Sequence, residues 1–183
     1  MALFNGSRLR DLRNNKKMSM AELAKQSEVS TSLISQIERD MVIPSVVTIW
    51  RLAKVLDTNI NYFFDEEDNN DQVLIRKGEH KIVMTHGNSC HYKLLSSGDA
   101  DRMLDMVEIT LKAGCSYEQN PLVHDGEECG YVLKGVLIVE VNGKQYTLNE
   151  GDSISFKSTI PHKYINNGID DCVSIWSMTP SFF

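Results

Sequence analysis

Two hydrophobic rhythms divide the chain. From Arg8 to Phe64 the apolar residues, Leu9, Leu12 and Leu23 among them, recur behind short polar gaps without strand-like alternation, which predicts helices. The stretch "SMAELAKQ" opens with Ser19 and carries Glu22 three positions later. That is a capping box: the serine oxygen takes an orphan backbone N–H and the glutamate reaches back to the cap. In "VSTSLISQIER" Ser30 is placed to cap a helix over residues 31–39, with Leu33, Ile34 and Ile37 as its apolar stripe. Pro44-Ser45 opens a further helix, "VVTIWRLAKVL", that turns Ile49, Leu52, Ala53 and Leu56 inward. Asn59 starts a last short helix ending in "NYFF", which makes five short helices.

The segment "DEEDNNDQ", residues 65–72, is acidic and free of large apolar side chains, so it reads as a solvated linker. After it the period becomes that of strands. "RMLDMVEITL", "YVLKGVLIVEVNG", "KQYTLNEGDSISF" and "CVSIWSM" are short β-rich runs separated by Gly, Asn and Asp. Asn142-Gly143 is a hairpin signal, because both residues tolerate positive φ. Regular strands without intervening helices predict a sandwich or barrel. The expected organisation is therefore multidomain, α plus all-β: a helical domain over residues 1–64, a linker over 65–72 and a β domain over 73–183.

Charge sharpens this division. The net charge is −6, which alone argues against a nucleic-acid partner. Up to Phe64, however, nine Lys/Arg face six Asp/Glu, a balance of +3, and the remainder carries −9. A basic helical part joined to an acidic domain fits a DNA-binding module with a separate appended function. No apolar run approaches the ~18 residues of a membrane span. The stretch "MALFNGSRLRDLRNN" lacks the apolar core of a signal peptide. Cys90, Cys115, Cys129 and Cys172 form no C-x-x-C pair. Four free thiols suit a reducing cytoplasm, where they act as small apolar residues.

Two consecutive helices with a turn of about three residues, the second rich in small polar side chains at its start, make a helix-turn-helix. "MAELAKQSEVSTSLISQIER" with the trailing "PSVVTIWRLAKVLDTNINYFF" resembles the phage-repressor-like (XRE/Cro) family. The resemblance covers about a third of the chain. Glu28 departs from it, since the family usually has glycine in that turn; the change costs roughly 1 kcal/mol if φ there is positive. The resemblance implies that Thr31, Ser32 and Gln36 face base edges, and Gln is suited to a bidentate pair with adenine. It places Ser30, Arg39, Lys16 and Lys17 near phosphates. Arg13 has two readings: a structural pair with Glu38 between helices, or a phosphate contact.

In the second domain His124, Glu128, Gly135, Gly151, Pro161, His162 and Asn166 resemble the two motifs of the cupin family. Glu128 and Gly135 are spaced correctly and His124 fits the second histidine of the first motif, while Leu122 stands where its first histidine would be. In the second motif Lys157 and Thr159 replace the usual proline and glycine. The resemblance runs over about residues 71–183 and implies a double-stranded β-helix barrel. Together the two halves resemble bacterial XRE-family regulators with a carboxy-terminal cupin sensor domain.

A strand-borne histidine and glutamate separated by three residues share parity and both point inward, where His162 on a later strand meets them. Two histidines and one carboxylate suit Fe(II), and would equally hold Zn, Mn or Ni. Three readings stand side by side: a bound divalent metal, a metal-free small-molecule pocket, and an inherited polar cluster. His80, His86 and His91 lie in polar, loop-like stretches and read as surface histidines.

The function expected is a transcriptional regulator, not an enzyme. A homodimer grips a pseudo-palindromic double-stranded operator in the cytoplasm, without a membrane, and the barrel binds a small-molecule effector. The alternative is an oxygen-dependent non-haem iron enzyme of the helix-turn-helix–cupin epoxidase type, for which Tyr117 and Lys93 are the residues on offer beside the metal.

Overall fold

In the computed structural model, residues 4–64, 73–84, 89–96, 102–116 and 121–180 are described. The expected linker over 65–72, His86 and Tyr117 lie outside them. The described residues fall into two compact units, 4–64 and 73–180.

Among the described residues the amino-terminal unit holds four α-helices: α1 Gly6–Asn15, α2 Met20–Ser27, α3 Thr31–Ile37 and α4 Val46–Val55. The expected fifth helix is a single 3-10 turn, Ile60–Phe63. Four residues are too few for an i→i−4 ladder, and Asn59 caps the turn by accepting from the Asn61 N–H at 2.8 Å. The capping box at Ser19 and Glu22 forms, with both bonds present. Ser30 accepts from Leu33 N and Ser45 from Thr48 N, each at 3.2 Å. The helix that Ser30 opens ends two residues earlier than its pattern suggests, because Glu38 becomes its C-cap. Leu9, Leu23, Ile34, Ile37, Leu56, Ile60 and Phe63 are fully enclosed and form the core. Truncating such a side chain typically costs about 2–5 kcal/mol. Among the described residues no helix is long and apolar enough to cross a membrane.

Among the described residues the carboxy-terminal unit contains ten strands: β1 Ile82–Met84, β2 Cys90–Leu94, β3 Asp105–Leu111, β4 Cys115–Ser116, β5 Glu127–Lys134, β6 Leu137–Val141, β7 Lys144–Leu148, β8 Ser153–Lys157, β9 His162–Asn166 and β10 Cys172–Thr179. They form a six-stranded sheet, β1-β2-β3-β10-β5-β8, and a four-stranded sheet, β4-β9-β6-β7. Every pairing is antiparallel. Asn142 and Gly143 both have positive φ, 51° and 77°, and close the β6–β7 hairpin between Val141 and Lys144. That is the two-residue turn whose twist matches its strands.

Period-two burial sorts each strand into an inner and an outer face. On β5 Glu128, Gly130 and Val132 are buried, on β9 His162, Tyr164 and Asn166, and on β10 Cys172, Ser174, Trp176 and Met178. Gly130 is a packing requirement. A Cβ there would stand 2.6 Å from the ring of Trp176, which is 1% exposed. None of the four cysteines is in a disulfide; Cys90 and Cys172 are buried, Cys115 is half-buried and Cys129 is exposed.

Candidate functional site

In the amino-terminal unit, the turn between α2 and α3 runs over Glu28 and Val29 to Ser30. Glu28 takes the left-handed conformation, φ 56° and ψ 29°, the region where glycine is favoured. Val29 is buried and anchors the turn. Thr31 and Ser32 on the first turn of α3 are exposed, as is Ser30, whose hydroxyl also meets that of Ser32 at 3.1 Å. Gln36 is half-buried and Arg39 exposed, with Arg39 Nε donating to the Ser35 carbonyl at 2.9 Å. Lys16 and Lys17 are exposed after α1; Lys16 approaches Asp57 only at 3.9 Å, an exposed pair worth little.

Arg13 is engaged in a different way. Its Nε and Nη2 donate to the two carboxylate oxygens of Glu38 at 2.6 and 2.9 Å. Nη1 donates to Met18 O at 2.9 Å and Asn14 Oδ1 at 3.0 Å. Both partners are buried, Arg13 at 9% exposure and Glu38 at 4%. The hydrogen bonds to Glu38 raise the guanidinium pKa. Of the two roles considered for Arg13, the geometry is that of the structural pair.

In the carboxy-terminal unit, three ligand-bearing side chains converge. One donor atom each from His124, Glu128 and His162 lies within 4.8 Å of the others. Glu128 comes from β5 and His162 from β9 in the other sheet. His124 is not strand-borne as its spacing suggested: β5 begins at Glu127, after a bend at Asp125 and Gly126 with φ +100° at the glycine. The backbone still holds it, since His124 N donates to Ser158 O at 3.0 Å and Ser158 N to Gly126 O at 2.9 Å. Leu122 and His162 exchange two backbone bonds, 2.7 and 3.0 Å, as an isolated antiparallel bridge. Residues directly opposite in such a bridge project to the same face, so Leu122 stands beside His162.

The imidazoles are oriented. His124 Nδ1 donates to Asp125 O at 3.0 Å and His162 Nδ1 to Ile160 O at 2.9 Å. A carbonyl only accepts, so each Nδ1 carries a proton and Nε2 is the nitrogen left to face the cluster. Both Nε2 atoms face Glu128 Oε1, at 2.7 Å from His124 and 3.2 Å from His162. The second approach is off the line required for a hydrogen bond, and the buried His162 Nε2 has no hydrogen-bond partner among the described residues. A carboxylate facing two Nε2 atoms calls for positive charge between them, either a proton on nitrogen or a metal ion. Two ligands held at about 2.1 Å from one ion at a right angle stand about 3 Å apart, close to the separations found. The residues therefore fit a divalent metal.

Glu128 is 3% exposed. Burial pushes its carboxyl pKa up, but the two imidazoles and the Tyr164 phenol outweigh that and hold it at about 2. Ser158 donates to Oε1 at 3.1 Å, and Tyr164 donates to Oε2 in a very short contact. Neither residue stood out in the sequence. The available signal for Tyr164 was its place two residues after His162, which gives it the same face of β9. Asn166, a motif residue, is structural: its amide donates to Leu111 O and Asp170 O, both at 2.9 Å. His80 and His91 are outside the cluster, and Lys93 pairs with Glu108 at 3.3 Å on the adjacent strand.

The comparisons with known proteins agree with this architecture. The helix-turn-helix family model matches residues 9–63 and the cupin domain model residues 107–178. The HTH-type transcriptional regulator PuuR of Escherichia coli is 30% identical over 178 residues, covering 97% of this chain and 96% of the relative. The crystal structure of an HTH_3 family transcriptional regulator from Vibrio cholerae aligns with a TM-score of 0.74 and 26% identity, covering 95% of this chain and 93% of the other. Hydroxypropylphosphonic acid epoxidase from S. wedmorenis aligns with a TM-score of 0.51 at 19% identity, with 95% of each chain covered, a likeness of fold alone. The chain belongs to the DNA-binding, XRE-family helix-turn-helix transcriptional regulators that carry a carboxy-terminal cupin domain.

Proposed function

We propose that this regulator senses through its barrel, where His124, Glu128 and His162 hold a divalent metal and a small-molecule effector binds at the positions the metal leaves open. The observation that carries the reading is the buried His162 Nε2, which has no hydrogen-bond partner among the described residues and is directed at the carboxylate of Glu128. The donor set of two imidazoles and one carboxylate suits Fe, Zn, Mn or Ni, and the metal supplies a Lewis-acidic point on which an effector's own donor atom is fixed. Leu122, beside His162, occupies the place of a fourth protein ligand and leaves that direction to the effector.

Occupancy of the barrel changes the DNA affinity of the helical domain. The coupling is limited to the effector's differential affinity for the two DNA-binding states. On DNA, Thr31, Ser32 and Gln36 read base edges, while Ser30, Arg39, Lys16 and Lys17 contact phosphates. The chain acts in the cytoplasm as a homodimer, so that two copies of α3 enter successive major grooves of a pseudo-palindrome about one turn apart. The domains run over residues 1–64 and 73–183, joined by the acidic linker. Identity to regulators along nearly the whole chain supports this reading over oxygenase chemistry.

Metal titration of the wild type, His162→Ala and Leu122→His tests the sensor. His162→Ala is expected to weaken binding and blunt the effector response while leaving effector-free operator binding intact. Leu122→His is expected to tighten metal binding. Equal, negligible affinity in all three reduces the triad to a polar cluster.

A further inference from the structure

The two oxygens of Glu128 have different partners. Oε1 faces His124 and His162 and accepts from Ser158. Oε2 accepts from the Tyr164 hydroxyl. A hydroxyl that donates to an ionised carboxylate makes one of the stronger hydrogen bonds in proteins.

Tyr164 is itself held firmly. It is 5% exposed, and its ring centroid is 4.6 Å from that of Trp176. Trp176 lies against Gly130, where even a Cβ would stand 2.6 Å from the indole, and its Nε1 donates to Ser174 at 2.9 Å. The His162 ring is 5.9 Å from that of Tyr164, and Phe156 packs on both of these neighbours, 5.0 Å from His162 and 6.2 Å from Trp176 between centroids. The phenol cannot leave Oε2 without displacing a packed aromatic cluster.

We propose that Tyr164 is a positioning residue that makes Glu128 a single-oxygen ligand, by keeping Oε2 turned away from the point where Oε1 and the two imidazole Nε2 atoms converge. The assignment rests on the metal reading of the triad. A carboxylate free at both oxygens binds an ion through one or both, and the second mode takes up a coordination position. With Oε2 engaged, the protein supplies three donor atoms and the remaining positions stay available to an effector. Partners that orient a ligand in this way commonly contribute 10–100-fold to metal affinity.

The test uses the full-length chain stripped of metal, with Co(II) as the probe because its visible band reports coordination number. Tyr164→Phe removes the hydroxyl and keeps the ring. It is expected to lower Co(II) affinity by about 10–100-fold and to weaken the visible band, as the second carboxylate oxygen joins the ion. Ser158→Ala, which leaves Oε2 held, is expected to keep the wild-type band. Circular dichroism melting of each metal-free variant separates a loss of fold from a change at the ion. Trp176→Phe, which loosens the Tyr164 ring but retains its hydroxyl, shifts the band in the same direction and serves if Tyr164→Phe does not fold. A wild-type band in the folded Tyr164→Phe variant overturns the assignment and leaves the metal site standing. Failure of the wild type to bind Co(II) overturns the metal reading and the assignment with it.

Discussion

Replacing Arg13 by alanine isolates one buried ion pair in the helical domain. The guanidinium is bonded to both oxygens of Glu38, at 2.6 and 2.9 Å, and Glu38 is 4% exposed. Arg13→Ala removes the cation and leaves a buried carboxylate whose former donors are gone. Breaking such a pair from one side costs about 3–5 kcal/mol. The lower end, about 3 kcal/mol, applies because an edge of Arg13 still reaches water. For a domain of roughly 60–100 residues each kcal/mol moves the melting temperature by about 4–8 °C, so the helical domain should melt about 12–24 °C lower. The assay is thermal unfolding of the full chain followed at 222 nm, where the four helices dominate. Arg13→Met combined with Glu38→Leu removes both charges and fills their space, and should recover most of the loss, since a buried pair is often replaceable by apolar groups. A drop in Arg13→Ala of under about 1 kcal/mol, with operator affinity and its salt dependence both reduced, would refute the reasoning and make Arg13 a phosphate contact.

Gln36→Ala is expected to weaken operator binding by about 1–3 kcal/mol and random-sequence binding hardly at all, as measured by titration at one salt concentration; equal losses on both would remove Gln36 from base readout. Gly130→Ala forces a Cβ to within 2.6 Å of the buried Trp176 ring and should destabilise the barrel by about 1–3 kcal/mol, read from denaturant unfolding by tryptophan fluorescence. Burial raises the Cys172 thiol to about 11, so in the native chain at pH 8 it should resist a thiol reagent while exposed Cys129 reacts. The sign follows for stability: below about pH 8.5 this thiol is protonated whether folded or not and contributes no pH dependence. Above that the unfolded chain ionises first, and the fold weakens until the pH passes about 11; Cys172→Ala should remove that alkaline slope. Light scattering of the full chain should give twice the monomer mass, and a monomer would remove the symmetric operator model.

What the sequence determined by itself was local. Ser19 with Glu22, Ser30, and Ser45 mark helix starts because a cap acts within three residues, and all three caps form. Asn142-Gly143 specifies its hairpin because backbone preference at two adjacent residues is enough to reverse the strand. The length of the last helix was less legible, since periodicity does not separate one 3-10 turn from a short α-helix. Motif spacing named His124, Glu128 and His162 but placed His124 on a strand. The bend at Asp125 and Gly126 instead brings it to the cluster, tied to Ser158 from 34 residues further on. Only the tertiary structure shows the contact of Arg13 with Glu38, because Glu38 is 25 positions away and becomes a partner only when the helices pack. The same holds for the surroundings of Glu128. Ser158 and Tyr164 are 30 and 36 residues from it and lie in no shared motif. Ser158 follows β8, the neighbour of β5 in the same sheet, and Tyr164 comes from β9 in the other; both side chains turn into one interior, where a buried carboxylate must be hydrogen-bonded.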